Sequence, residues 1–298
     1  MQNDNLKSYL HLHLIVFIWG FTAVLGALIS LDALPLVWWR MSIAVLLIFI
    51  YMKVFKVSFS IANSKKLLML VAGLIIALHW LTFFKAIKVS NVSVTLACLS
   101  TGAFFTSILE PIFYKRKIIW YEVLFGLIVI IGLYIIFKVE GDYWLGIILA
   151  LTSAFLSALF SVINGKFAKE YHAATISFYE LIGGVGFISI YLLATQQFSV
   201  DFFSISLSDL GWLFILASIC TAYAFIASVH VMKHLSPYTV MLTINMEPIY
   251  GIILALLVFD EKEKMNPSFY IGASIILSTV ILNGILKNYQ KKKKLKLN

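Results

Sequence analysis

At 298 residues, 61% hydrophobic and only 12% charged, with a mean hydropathy of +0.97, the chain has too few polar side chains to coat a soluble domain. Composition therefore excludes a soluble globular protein and points to an integral membrane protein. The net charge of +9 does not indicate nucleic-acid binding, because the basic residues lie between apolar runs and in the terminal KNYQKKKKLKLN, where a membrane protein keeps its flanking charge.

A hydrocarbon core about 30 Å thick needs about 20 apolar residues of helix. Runs of that size at residues 10–31, 34–54, 67–88, 92–114, 117–138, 143–165, 173–195, 208–231, 237–259 and 267–287 predict ten spans. The first follows MQNDNLKSYLHLHL without a small-residue cleavage site and reads as a retained helix. His11 and His13 at its start are two residues apart, point to different faces and make a poor ligand pair. In the second span, Arg40 sits near the outer end. Its guanidinium could hold a carboxylate bidentately, but a side chain so close to the surface is expected to snorkel.

The third span contains ALHWLTFFKAI. His79 can donate or accept a hydrogen bond, while Trp80 and Phe83 offer flat faces to a cation or an apolar solute. A structural interhelical bond would explain His79 equally well. Cys98 in the fourth span and Cys220 in the eighth lie in apolar runs, so no disulfide framework is expected and both read as small buried residues. Glu110-Pro111 lies a few residues from the basic Lys115-Arg116-Lys117 and reads as a charge cluster at a helix end. Glu180 in the seventh span is an inner gate or a helix tie. Asn164, Tyr223, Asn245 and Tyr250 can add hydrogen bonds to a cavity. Gly20 with Gly26, GGVG at 183–186 and GASIILS at 272–278 allow helices to approach closely.

The ninth span lies in TVMLTINMEPIYGIILALLVFDEKE, residues 239–263. Glu247 falls near the midplane, where an ionised side chain costs at least about 2.5–3.5 kcal/mol. Pro248 has no N–H, so the Ile244 carbonyl loses its helical partner and can face a cavity. A carboxylate and a free carbonyl at one depth suit a substrate amine. The same carboxylate could instead carry a proton, and the structural alternative is a kinked packing helix with a neutral or paired Glu247.

Seventeen of the 23 Lys and Arg residues fall on one side if both termini are cytoplasmic; Lys85 and Lys88 are the discordant pair. A shift of 146 sets Ser90 on Ser236, Phe113 on Phe259 and Gly126 on Gly272, while near the start of each half a shift closer to 140 sets Trp39-Arg40 on Tyr179-Glu180. With five spans per copy, the second copy is inverted. Inverted repeats build transporters whose substrate site lies near the midplane.

Trp19-Gly20 in the first span, Pro35 and Arg40 around the second, and Pro248 followed by Asp260-Glu261 complete a pattern that resembles the EamA-type members of the drug/metabolite transporter superfamily. That family usually has a Pro in the fourth helix of each repeat and a Gly-Glu thirteen residues later. Pro248 and Glu261 keep this spacing, with Asp260 in place of Gly; in the first half Gly102 and Lys115 stand there, a departure. The resemblance implies an all-α integral membrane protein of ten helices. It divides the chain into a first five-helix repeat (1–140), a second (141–288) and a basic cytoplasmic tail (289–298). It also implies cavity walls from the third and eighth helices, a bacterial inner-membrane location, and export or exchange of amino acids, other metabolites or toxic compounds.

There is no HExxH, GxSxG, Walker sequence or His/Cys cluster, so no enzyme, cofactor or metal site is expected. Nor is there a repeated polar ring or filter loop for a channel. The expectation is a secondary transporter exporting an amino acid or related solute by alternating access, its partners being that solute, the bilayer and a proton. The alternative is a membrane-embedded enzyme or scaffold without transport activity. The expected substrate-binding or proton-coupling residues are Glu247, His79, Trp80, Arg40, Glu180, Tyr223 and Asn245, with Pro248 as the helix break.

Overall fold

The computed structural model describes residues 2–115, 117 and 120–297. Arg116 of the basic cluster, Asn298, and the side chains of Lys291–Lys294 and Lys296 in the tail lie outside the described residues. The first half comprises α1 (Gln2–Leu28), α2 (Ala33–Val54), α3 (Asn63–Val89), α4 (Val92–Leu99), α5 (Gly102–Tyr114) and α6 (Trp120–Val139). The second comprises α7 (Trp144–Phe167), α8 (Ala173–Ala194), a short α9 (Val200–Phe203), α10 (Leu207–Ala217), α11 (Ala224–Val231), α12 (Pro237–Ile244), α13 (Glu247–Phe259) and α14 (Pro267–Leu297). Two collinear pieces form one span in three places: α4 with α5, α12 with α13, and α10 with α11 through a π-helical turn at Ser218–Tyr223. Among the described residues nine spans are long and apolar enough to cross a bilayer, and α6 adds a shorter apolar stretch, Leu124–Ile136.

Short connections hold the helices in sequence because their ends are capped. Asn91 Oδ1 accepts from the Val94 N–H at 2.8 Å to start α4, and Ser236 Oγ accepts from the Thr239 N–H at 3.2 Å to start α12, where Pro237 occupies the first turn. These two caps are 145 residues apart. Among the described residues, four non-glycine residues have positive φ and form two further pairs. Lys56 and Gln196, each at φ 54°, follow α2 and α8, which are 22 residues each; Lys115 at 54° and Asp260 at 46° follow α5 and α13, which are 13 each. A left-handed residue normally asks for Gly at a helix C-terminus. Finding four side chains there, at matched places in both halves, shows one chain path used twice.

The register is 140 for α2 on α8, as the sequence suggests, but 145 for α4–α5 on α12–α13, one residue less than the 146 read from side-chain identity. Pro248 therefore corresponds to Ala103 rather than Gly102, and Glu247 to Gly102. The inversion shows in the packing: α1 lies on α13 while α7 lies on α5, α3 packs on α8 while α10 packs on α2, and α6 pairs with α14. The α6–α14 crossing is close because a Cβ on Gly132 would meet the Gly272 carbonyl at 3.0 Å, and one on Gly272 would meet the Gly132 carbonyl at 2.9 Å. Large apolar side chains such as Leu46, Phe49, Ile130, Tyr134, Leu193 and Leu257 cover the outside, while Arg40, His79, Asn164, Glu180 and Glu247 are buried. This is the polarity of a membrane bundle with a polar interior.

Candidate functional site

The buried polar residues gather around a cavity of about 60 Å³ lined from both halves, including Trp19, Arg40, His79, Asn164, Phe225 and Glu247. It lies where the two broken spans meet, since Leu99 ends α4, Ile244 ends α12 and Glu247 begins α13, and all three are on its wall.

Arg40 overturns the expectation that it snorkels. It is 1% exposed, with Nε donating to Thr221 Oγ1 at 2.6 Å and its guanidinium carbon 4.0 Å from the Trp80 ring centre. Thr221 belongs to the π-helical turn, and its hydroxyl donates in turn to the Leu216 carbonyl at 2.7 Å, five residues back. The wider turn thus delivers an acceptor to the arginine, and π-turns are frequent at functional sites. Arg40 Nη1 has no hydrogen-bond partner among the described residues. Trp80 presents one face to Arg40 and also lines the cavity.

Glu247 is 6% exposed and, among the described residues, neither receives a hydrogen bond nor pairs with Arg40 across the cavity. It opens α13, where the helix dipole favours a carboxylate. Pro248 does not kink a continuous helix. The helix is interrupted: α12 ends at Ile244, Asn245 and Met246 link, and Pro248 sits in the first turn of α13, where its missing N–H goes unneeded. The first half is broken at the matched place without proline. Ser100 Oγ donates to the Ala97 carbonyl at 2.6 Å and Thr101 Oγ1 to the Cys98 carbonyl at 2.8 Å, and such back-bonding disturbs helical continuity.

His79 makes the interhelical bond considered for it and also lines the cavity. Nδ1 lies 2.9 Å from the Ser153 carbonyl, which can only accept, so Nδ1 carries the proton. Ser153 Oγ, 2.8 Å from the same nitrogen, donates back to the His79 carbonyl at 3.0 Å. The ring therefore ties α3 to α7, and in its neutral form leaves Nε2 as an acceptor on a cavity-lining residue. Asn164 also lines the cavity; its Nδ2 donates to Glu180 Oε2 at 3.2 Å.

Three expected contacts, Glu180, Asn245 and Tyr223, fall elsewhere. Glu180 is fully buried one layer behind the cavity, tying α8 to α7 through Asn164. Asn245 is buried in the break without lining the cavity. Tyr223 is 43% exposed on the outer surface with its hydroxyl 2.9 Å from His11 Nε2. Glu110, read as part of a charge cluster with Lys115-Arg116-Lys117, is 1% exposed on the packed face of α5, and Arg116 of that cluster lies outside the described residues. Thr221, Ser153 and the Ser100-Thr101 break are not legible in the sequence, because they carry no local signature beyond a hydroxyl in an apolar run.

Ties between the halves stand at both ends of the helix bundle. At one end Asp209 accepts from the Ser30 N–H at 2.8 Å and the Ser30 hydroxyl at 2.6 Å, and Glu263 accepts from the Val92 and Ser93 N–H groups, each at 2.9 Å. At the other, Lys65 pairs with Glu170 at 3.0 Å, and the Thr175 and Tyr179 hydroxyls donate to the Ser58 and Phe59 carbonyls at 2.9 and 2.8 Å.

A solved structure described as "Crystal structure of protein" superposes with a TM-score of 0.69 at 12% identity, covering 94% of this chain and 98% of its own. At that identity the likeness is one of fold. No curated protein matches the sequence. The family model described as the EamA-like transporter family matches twice, at residues 6–138 and 144–285. One match in each half, over nearly the whole length, places the chain in the EamA-like transporter family, whose members are membrane transporters of the drug/metabolite transporter superfamily.

Proposed function

We propose that the protein is a secondary transporter that exports a small zwitterionic metabolite, an amino acid or a close relative, across a bacterial inner membrane by alternating access. The observation that carries this reading is that a guanidinium nitrogen of Arg40, without a hydrogen-bond partner among the described residues, lies on the wall of the same cavity as the Glu247 carboxylate. Two buried charges left apart are costly. A solute with a carboxylate for Arg40 and an ammonium for Glu247 offsets both costs at once, with His79 Nε2 as a further acceptor. Trp19, Phe83 and Phe160 line the same cavity and suit a modest apolar side chain.

A volume of about 60 Å³ is below the roughly 300–1,000 Å³ of ligand pockets, so a solute enters only when one end opens. The two sets of ties have the arrangement needed to break in turn. Glu247 as a proton carrier is the second reading, favoured by its lack of any donor when no solute is bound. The bias of Lys and Arg supports cytoplasmic termini.

The test is counterflow in proteoliposomes loaded with pooled amino acids and metabolites, comparing wild type with Glu247→Gln and Arg40→Lys at two pH values. Counterflow of a zwitterion that both variants lose supports the reading; flux retained by both removes it. Loss in Glu247→Gln alone, with wild-type flux driven by a pH gradient, selects the proton reading.

A further inference from the structure

A second concavity of about 590 Å³ lies on the outside of the bundle, against α2, α3, α7 and α8. Its floor is a single helical stripe of α3, Leu74, Leu78, Leu81 and Lys85, spaced by three and four residues, which places them on the face opposite His79, Trp80 and Phe83. Phe187 and Ile188 of α8 form the facing wall. At the end near the start of α2 the apolar lining gives way to Asp32, Lys85 and Tyr191.

Among the described residues neither charge there makes an ion pair, and Lys88 of α3 lies within electrostatic reach of Asp32. Asp32 holds the N-cap position of α2 with extended backbone, where an aspartate usually accepts from the first turn, yet its side chain makes no cap bond. Lys85 is exposed and, among the described residues, forms no ion pair with Asp32 or any other carboxylate. Thr82 does not compete, since its hydroxyl donates to the Leu78 and His79 carbonyls of its own helix at 2.8 and 3.0 Å. Lys85 is four residues from the end of α3 at Val89, about 6 Å along the axis. This is the depth of the bilayer interface.

We infer that this groove is a binding site for a membrane phospholipid with a zwitterionic, primary-amine headgroup, of the phosphatidylethanolamine type. The phosphate pairs with Lys85, the ammonium with Asp32, and one acyl chain lies along the Leu74–Leu81 stripe against Phe187 and Ile188. Charge complementarity selects the headgroup. An anionic lipid meets Lys85 but is repelled by Asp32, whereas a quaternary amine cannot donate the hydrogen bonds that make an ammonium–carboxylate contact strong. The site also accounts for Lys85, which runs against the charge bias of the rest of the chain.

The experiment is native mass spectrometry of the full chain, titrated with phosphatidylethanolamine, phosphatidylglycerol and phosphatidylcholine carrying the same acyl chains. Wild type should retain the ethanolamine lipid about fivefold more than either of the others. D32N should erase that preference, and K85Q should weaken all three. Both residues are exposed, so neither change threatens folding. Equal retention of the three lipids by wild type, or an ethanolamine preference undiminished in D32N, would overturn the assignment. So would added mass equal to a second copy of the chain in place of lipid.

Discussion

The two broken spans have one geometry and two chemistries. Each has an eight-residue helix, a two-residue link and a thirteen-residue helix, α4–α5 in the first half and α12–α13 in the second. The first is interrupted by two hydroxyls that donate backward, the second by a proline in the first turn of the following helix. Where the second carries Glu247, the first carries Gly102. The break itself thus belongs to the fold and can be made in more than one way. The carboxylate belongs to one half only, which makes the cavity electrically asymmetric despite the repeated chain path.

The sharpest way to break that comparison is Glu247→Gln, which keeps shape and removes charge. Flux should fall by roughly 30-fold or more, the equivalent of the 2 kcal/mol or more lost when one partner of a buried charged pair is removed. Thermal stability should hold, because no protein group donates to the carboxylate. Thr221→Val is next. It leaves Arg40 Nε buried without an acceptor, so stability should fall by about 1–3 kcal/mol. Flux per folded transporter, measured by counterflow, should drop about tenfold as the guanidinium loses its position. Unchanged flux in Thr221→Val would mean that the π-turn only packs.

The breaks can be compared directly. Ser100→Ala with Thr101→Ala removes both backward bonds, and Pro248→Ala restores an N–H that can reach the Ile244 carbonyl. Each should straighten its own span. We expect slower amide exchange at the link and a flux loss of roughly threefold to tenfold, with stability within about 1 kcal/mol because lost hydrogen bonds are offset by helix propensity. Flux abolished in one and untouched in the other would show that the two halves do not move as equivalents.

The spans themselves were legible because twenty apolar residues between polar breaks are a strong signal; residues 92–114 and 173–195 were placed within a residue of α4–α5 and α8. Rotation about each helix axis was not. In a soluble helix the apolar stripe marks the inner face, but α2 is apolar all round, since lipid and core both accept such side chains. Whether Arg40 turned in or out therefore depended on Thr221, 181 residues away. The second break was legible through Pro248, the first was not, because Ser100 and Thr101 look like ordinary small residues in an apolar run. Glu247 was readable as a buried charge from its midspan position alone. Tyr223 was misplaced for the same rotational reason as Arg40.

Gly102→Ala should have the smallest effect and tests the asymmetry most finely. A Cβ at this position would come 2.8 Å from Met241 Cε, too close unless something moves. The obstacle is the far end of a flexible thioether, which can swing aside at little cost. Replacing Gly in a helix also gains up to about 1 kcal/mol, so the melting temperature should stay level or rise slightly. Met241 lines the cavity, so the displaced methyl intrudes on the solute and the change should appear as a KM increase of about twofold at unchanged maximal counterflow. If Gly102→Ala instead removes flux as completely as Glu247→Gln, the first break is as much a part of the binding chemistry as the second. The carboxylate would then no longer distinguish the two halves.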